Sequence, residues 1–285
     1  MKPRIGLGID RINRHSFASP GARAYFRNLH GWLDDGERAL IEAAWRSVAA
    51  PRVLDIGVGA GRTVPLLAPR AVSYVGIDSL PPMIDMARER FDADVRLMDA
   101  RALAFPDAAF DVVAFSYNGL DAVGFEDRHV VLGEVARVLA PGGVFAFSSL
   151  NRDGPDYREP YRPTFPRAGR RLAVELARSL AKSGVGLFNY IRHGRHVVET
   201  DEMAIAVSSA HNYGVPAVFI SVPRQAVQLR AHGMALECAF SNTDGAELDI
   251  DRPALKPIWT HYLARRMPCL HPEIMAAPAL ERDCC

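Results

Sequence analysis

The chain has 285 residues, 49% hydrophobic and 24% charged, a globular balance that excludes wholesale disorder and can bury a core without disulfides. Its 34 lysines and arginines against 33 acids leave a net charge of +1 at pH 7, which argues against a protein that coats a polyanion. Its four cysteines form no C-x-x-C pair, so no metal is expected and a reducing cytoplasm is the expected compartment. In chain order, residues 1–50 read as a helical cap. Leu33-Asp34-Asp35-Gly36-Glu37 opens a helix that carries Leu40, Ile41, Ala44, Trp45 and Val48 on one face and stops at Pro51. Strands follow at Val53–Ile56, Val72–Ile77, Val95–Met98, Ala109–Phe115 and Val144–Ser149. Between them lie helices ending near Ala68, over Pro82–Arg90 and over Arg128–Leu139. Strand and helix in this alternation predict a mostly parallel sheet with helices on both faces.

The rhythm breaks after residue 150. Asn151–Pro166 carries four prolines and reads as irregular, Arg170–Ser183 as a helix, and His196–Thr200, Met203–Ser209 and Val215–Val222 as strands. Met203–Val222 is twenty residues without a formal charge, long enough to cross a bilayer. Its centre holds Ser208, Ser209, His211, Asn212, Gly214 and Pro216, polar or helix-breaking groups that a membrane helix satisfies poorly, so it reads as two buried strands around a turn. A helix over Arg224–His232 and strands over Met234–Phe240 and Ile258–Arg265 complete the pattern. One α/β domain, 51–150 and 223–267, is therefore expected to be interrupted by an α+β insertion at 151–222 and followed by a tail at 268–285.

The chemistry concentrates in Val53-Leu54-Asp55-Ile56-Gly57-Val58-Gly59-Ala60-Gly61-Arg62, where a strand feeds a helix and glycines let a ligand approach the backbone. A dinucleotide fingerprint places its third glycine at position 62, which is Arg62. Asp55 is a poor neighbour for a pyrophosphate and a good one for a cationic amino group. Further on, Val75-Gly76-Ile77-Asp78 ends the second strand and Leu97-Met98-Asp99-Ala100 the third. Phe110-Asp111-Val112-Val113 leads to Ser116-Tyr117-Asn118, and Glu134 to Gly143 forms a helix and turn before the fifth strand.

These motifs, in this order, resemble the class I S-adenosylmethionine-dependent methyltransferases, in particular the small-molecule group called type 11. The resemblance covers roughly residues 35–150 and resumes at 224–266. It implies a Rossmann-like fold with a seven-stranded sheet, S-adenosyl-L-methionine as cofactor and S-adenosyl-L-homocysteine as product. It places Asp55, Gly57, Gly59 and Gly61 around the methionine part and Asp78 on the ribose hydroxyls. Ser79, Met83, Asp99 and Ala100 would line the adenine pocket, and Ser116, Tyr117 and Asn118 would face cofactor and acceptor. Asp78 and Asp99 each have an ordinary alternative as caps of the following segment.

The expected acceptor is a small molecule methylated on oxygen or nitrogen. His211 is the first candidate for a general base, with Tyr213 and Tyr117 as further catalytic candidates; His193 and His196 come next. From Asn151 to His196, nine arginines and one lysine face four acids, a local net of +6 that leaves −5 for the rest. Arg152, Arg158, Arg162, Arg167, Arg170 and Arg171 interleave with Tyr157, Tyr161 and Phe165. This pattern suits an anionic acceptor, RNA stacked on aromatics, or solvated arginines in surface ion pairs. RNA is the runner-up acceptor and nucleic acid is not the expected partner; no membrane partner is expected, and the state is a monomer or homodimer. A nicotinamide-dependent oxidoreductase and a non-catalytic cofactor-binding scaffold are the rival functions.

Overall fold

The structure is a computed structural model and describes residues 8–29, 31–163, 172–251 and 256–268. Three helices come first: α1 (Ile9–Phe17), α2 (Pro20–Asn28) and α3 (Asp35–Ser47). Asp34 caps α3, its Oδ1 accepting the Glu37 N–H at 2.7 Å. The sheet then builds from β1 (Arg52–Ile56), the short α4 (Val64–Leu67), β2 (Ser73–Asp78), α5 (Pro81–Arg90), β3 (Val95–Leu97) and β4 (Phe110–Phe115). After α6 (Phe125–Val138), β5 (Leu139–Asn151) runs thirteen residues, longer than the expected Val144–Ser149 because the Pro141-Gly142-Gly143 turn is drawn into the strand.

Strands β1 to β5 lie in the order β3-β2-β1-β4-β5, all parallel. Period-two alternation explains why both faces are covered. In β4, Val113 and Phe115 pack with α6 and its neighbours, while Val112 and Ala114 pack against Leu40, Ala43 and Ala44 of α3. The chain later returns through α9 (Val222–Ala231), β9 (Met234–Ser241) and β10 (Trp259–Arg266), with β10 antiparallel to both β5 and β9. That completes the seven strands implied by the resemblance.

The insertion adds more. α7 (Leu172–Gly194), β6 (Val198–Glu199), β7 (Ala204–Val207), the short turn α8 (Ala210–Tyr213), in which His211 and Asn212 are not helical, and β8 (Pro216–Ile220) intervene between β5 and α9. β7 and β8 pair antiparallel, so the uncharged stretch forms two buried strands around a turn. β8 also pairs with the end of β5 through Leu150 and Asn151, so the sheet has ten strands rather than seven. α7 continues eleven residues past the expected Ser183. It runs through Gly184 and Gly186, and at Gly186 the 211–213 segment packs so close that a Cβ would meet Asn212 Oδ1 at 2.6 Å. β6 keeps only two of the five residues expected at His196–Thr200.

A buried polar network fixes the centre of the sheet. Arg128 on α6 is fully buried and donates to Asp121 Oδ1 at 2.6 Å, Gln225 Oε1 at 2.6 Å and Gln228 Oε1 at 2.9 Å. Asp121 also accepts from Ser149 Oγ and from the Leu150 N–H, each at 2.6 Å. The network ties the 3-10 turn at Gly119–Ala122, β5 and α9 together directly beneath the loop leaving β4. Removing one partner leaves a buried charge uncompensated. Arg128→Ala is therefore expected to lower the unfolding free energy by about 3–5 kcal/mol, read from the urea midpoint at unchanged slope.

Candidate active site

The chain proceeds from β1 outward through β2 and β3, then reverses to β4 on the other side of β1. In an open parallel sheet such a reversal leaves a crevice beyond the strand ends, where ligands bind. Loops leaving β1, β2, β3 and β4 all open onto one cavity here, of roughly 1130 Å³. Gly57, Gly59, Asp78, Ser79, Met83, Asp99, Ala100, Ser116, Tyr117, Asn118, His211 and Tyr213 all line it. Two of the sequence-derived site residues, Asp55 and Gly61, lie outside the lining. Asp55 is fully buried on β1; Thr63 Oγ1 and Tyr74 Oη donate to its Oδ2 at 2.5 and 2.8 Å, and its Oδ1 has no partner. Burial pushes its carboxyl up to about 6. Gly61 packs against the Phe91 ring instead, 2.6 Å from where a Cβ would stand.

One half of the cavity is built from strand ends. Gly57 adopts φ +68°, and a Cβ there would stand 2.8 Å from the Phe115 ring, so only glycine makes this turn. Asp78 Oδ2 accepts the Gly59 N–H at 3.1 Å and its Oδ1 the Leu80 N–H at 2.8 Å. Asp78 thus holds both loops, and each oxygen keeps a further lone pair for a ligand hydroxyl. Burial pushes this carboxyl up to about 6 as well. Asp99 is more committed: the Arg101 guanidinium forks onto it at 2.6 and 3.0 Å and holds it below the usual carboxylate range. Arg101 also pairs with Asp127 at 2.9 Å and with Asp10 of α1 at 3.6 Å.

The other half is aromatic. His211, Asn212 and Tyr213 follow one another with φ of 49°, 56° and 60°, and Tyr117 and Asn118 have φ of 56° and 58°. Left-handed backbone at non-glycine residues costs about 1–3 kcal/mol each and persists only where its surroundings enforce it. Here Asn189 Nδ2 donates to the Asn212 carbonyl at 3.1 Å, Asn212 Nδ2 to the Lys182 carbonyl at 2.8 Å and Ser16 Oγ to the Gly214 carbonyl at 2.7 Å. The Asn118 N–H donates to Ser148 Oγ at 2.8 Å, while its buried Oδ1 has no partner. The His211 ring stands 5.3–5.6 Å from the rings of Phe17, Tyr25 and Phe26. Among the described residues nothing hydrogen-bonds the imidazole, and burial lowers its pKa, so it is neutral at pH 7. Tyr25 Oη meets Tyr117 Oη at 2.5 Å, bringing the two strained segments together. Tyr213 has a structural bond of its own, its Oη accepting the Arg162 N–H at 3.0 Å. His193 and His196 do not line the cavity.

The helical cap expected at 1–50 proves to line the cavity, and Arg62 to have a structural role; neither was expected from the sequence. α1 and α2 supply Asn13, Arg14, Phe17, Tyr25 and Phe26 to the lining, and Arg14 Nη2 reaches the Ser79 carbonyl at 3.0 Å. Their detectable signal was Ser19-Pro20, a cap followed by a first-turn proline. Arg62 stood out only as a missing glycine. It is buried, forks onto Glu37 at 2.7 and 2.8 Å, donates to Ser116 Oγ at 2.9 Å and lies 5.2 Å over the Tyr117 ring. Of the insertion's arginines, Arg158 pairs with Glu199 at 2.5 Å and Arg162 with Glu159 at 2.9 Å. The Tyr157 ring is met by the Arg152 and Arg158 guanidinium groups and by Phe219, and Tyr161 packs on Tyr190 and Tyr213, so neither ring is a free stacking platform. Phe165, Arg167, Arg170, Arg171 and residues 269–285 of the tail lie outside the described residues. Among the described residues no cluster of metal-ligating side chains occurs, and no helix is long and apolar enough to cross a membrane.

Residues 53–143 match the family described as a methyltransferase domain. The demethylmenaquinone methyltransferase of Thermus thermophilus is 42% identical over 102 residues, 33% of this chain and 45% of that protein. The 27-O-demethylrifamycin SV methyltransferase of Amycolatopsis mediterranei is 34% identical over 165 residues, 51% of this chain and 58% of that protein. The chain thus spans about half the length of the curated relatives it matches. In fold it is similar to the 1,6-didemethyltoxoflavin-N1-methyltransferase of Burkholderia thailandensis, with a TM-score of 0.54 at 14% identity over 90% of this chain and 88% of that one. The strand order β3-β2-β1-β4-β5-β10-β9 and these likenesses make the chain similar to S-adenosylmethionine-dependent methyltransferases, and residues 53–143 carry the methyltransferase-domain match.

Proposed function

We propose that the protein transfers a methyl group from S-adenosyl-L-methionine to an oxygen or nitrogen of a small molecule. The observation that carries this reading is the two-part cavity: strand-end loops with a buried carboxylate on one side, a neutral uncommitted imidazole on the other. S-adenosylmethionine, when bound, supplies an electrophilic methyl on a sulfonium whose leaving group is a neutral thioether. Gly57 and Gly59 let it approach the backbone, and the free lone pairs of Asp78 suit two adjacent ribose hydroxyls. The unpartnered Asn118 Oδ1, and the negative charge of Asp55 below the turn, suit a cationic ligand.

On the acceptor side, Phe17, Tyr25 and Phe26 hold the His211 ring, leaving a ring nitrogen to take the acceptor's proton as its oxygen or nitrogen attacks. Alignment of the two reactants in one cavity contributes the rest; such positioning is worth up to about 7–11 kcal/mol. Relatives named for a demethylmenaquinone and a demethylrifamycin support a small organic acceptor.

Calorimetric titration tests the cofactor: S-adenosylhomocysteine should bind and NADH should not, and the reverse result overturns the reading. Turnover is tested by S-adenosylhomocysteine release in a screen of small phenols, amines and quinols. Cofactor binding without release for any acceptor would favour a scaffold.

A further inference from the structure

Helix α7 is amphipathic the wrong way round for a helix facing water. The face packed on the protein carries Ser183, Gly186, Asn189, Tyr190 and His193: the Tyr190 ring packs on Tyr161 and Tyr213, and beside it Tyr161 Oη donates to the Ser183 carbonyl at 2.6 Å and Asn189 Nδ2 to the Asn212 carbonyl at 3.1 Å. The outward face carries Leu176, Leu180, Leu187, Phe188 and Ile191, of which Leu180, Phe188 and Ile191 are 64%, 59% and 68% exposed. Leu176, Leu180, Leu187 and Ile191 are spaced four, seven and four residues apart and so form one continuous stripe. Isolated exposed leucines need no explanation, but a stripe more than three turns long marks an interaction surface.

Charge indicates what covers it. Arg178 and Arg192 lie along one edge of this outward face, Arg192 5.8 Å over the Phe188 ring, Arg195 follows the helix end, and all three are exposed; the only acid on the helix, Glu175, is half-buried. Two copies of α7 packed together would set arginine against arginine with no exposed acid to offset them. A surface that accepts apolar side chains between negatively charged groups suits both features at once. We propose that α7 lies on an anionic bilayer surface, with the stripe in the acyl boundary and the arginines among the lipid phosphates. This concerns attachment to a surface and requires no spanning segment. It also gives the cavity an orientation, because Lys182, Val185 and Asn189 of the same helix line the cavity wall, so an acceptor dissolved in the bilayer would enter alongside α7.

The test is sedimentation of the full chain with vesicles of phosphatidylcholine alone or with phosphatidylglycerol, and needs no turnover. Binding to the anionic vesicles should weaken about fivefold for each of Arg178→Gln and Arg192→Gln, at roughly 1 kcal/mol per basic residue, and fall with added salt. Leu180→Glu with Ile191→Glu should abolish it while leaving the thermal melt unchanged, since both positions are exposed. Failure to sediment with anionic vesicles overturns the proposal, as does equal binding to neutral ones. A concentration-dependent dimer broken by the same glutamates, without vesicle binding, assigns the stripe to a second copy and also overturns it.

Discussion

Asp78→Ala should weaken S-adenosylhomocysteine binding by about 10²–10⁴, because two hydrogen bonds to a charged acceptor, at about 1.5–3 kcal/mol each, are lost together. The Gly59 and Leu80 N–H groups hold the carboxylate's oxygens without exhausting them. Asp78→Asn, which keeps the shape and one carbonyl acceptor, should recover part of the affinity. A pH titration separates recognition from folding. The folded carboxyl titrates near 6, above its ordinary value of 3.8, because burial disfavours the anion. In the ligand-free protein, Asp78 therefore contributes most stability below its unfolded value, and that contribution is lost as pH rises through about 6. Binding needs the anion and runs the other way, falling toward tenfold per pH unit below about 6. The rise in melting temperature produced by S-adenosylhomocysteine should shrink between pH 7 and 5 while the ligand-free melt holds or rises from this group. A ligand-induced shift that is constant over this range, or an unchanged affinity in Asp78→Ala, would show that Asp78 is only a loop cap.

Much of the strand-end half of the cavity was legible in sequence because local rules determine it. A glycine turn after an apolar strand, and acids at the ends of the next two strands, fall at one sheet edge once the order β3-β2-β1-β4 is known. Tertiary partners were not legible in this way. The commitment of Asp99 to Arg101, and of Tyr213 to the Arg162 backbone, depends on loops that no periodicity describes. Arg62 illustrates the limit most clearly. At the sequence level it was a departure from a dinucleotide motif; in the fold its partner Glu37 lies 25 positions earlier on α3, and the pair braces the exit of β4 through Ser116. The aromatic wall from α1 and α2 was invisible for a related reason. Phe17, Tyr25 and Phe26 read as the apolar side of short helices, and only the 211–213 loop, almost two hundred residues later, gives them a ring to surround.

That wall determines what His211 can do. Histidines that serve as structural bridges hydrogen-bond through their ring nitrogens, as His129 and His232 do with each other at 2.9 Å. His211 instead is gripped by ring contacts alone, in a left-handed backbone enforced by three side-chain bonds to the segment 212–214 and its surroundings. His211→Gln should therefore lower kcat by about 10²–10⁴, the usual contribution of a positioned base. S-adenosylhomocysteine affinity should be unchanged, because the strand-end loops do not use this ring. In the wild type, kcat should fall on the acid side as the imidazole takes a proton, with that limb below pH 6.5 because burial disfavours the cation. In His211→Gln the limb should disappear, and added imidazole should restore part of the rate to His211→Ala, whose missing ring leaves room inside the cage. Should kcat keep its acid limb and magnitude in both variants, the acceptor reacts without a base and His211 serves only to shape the wall.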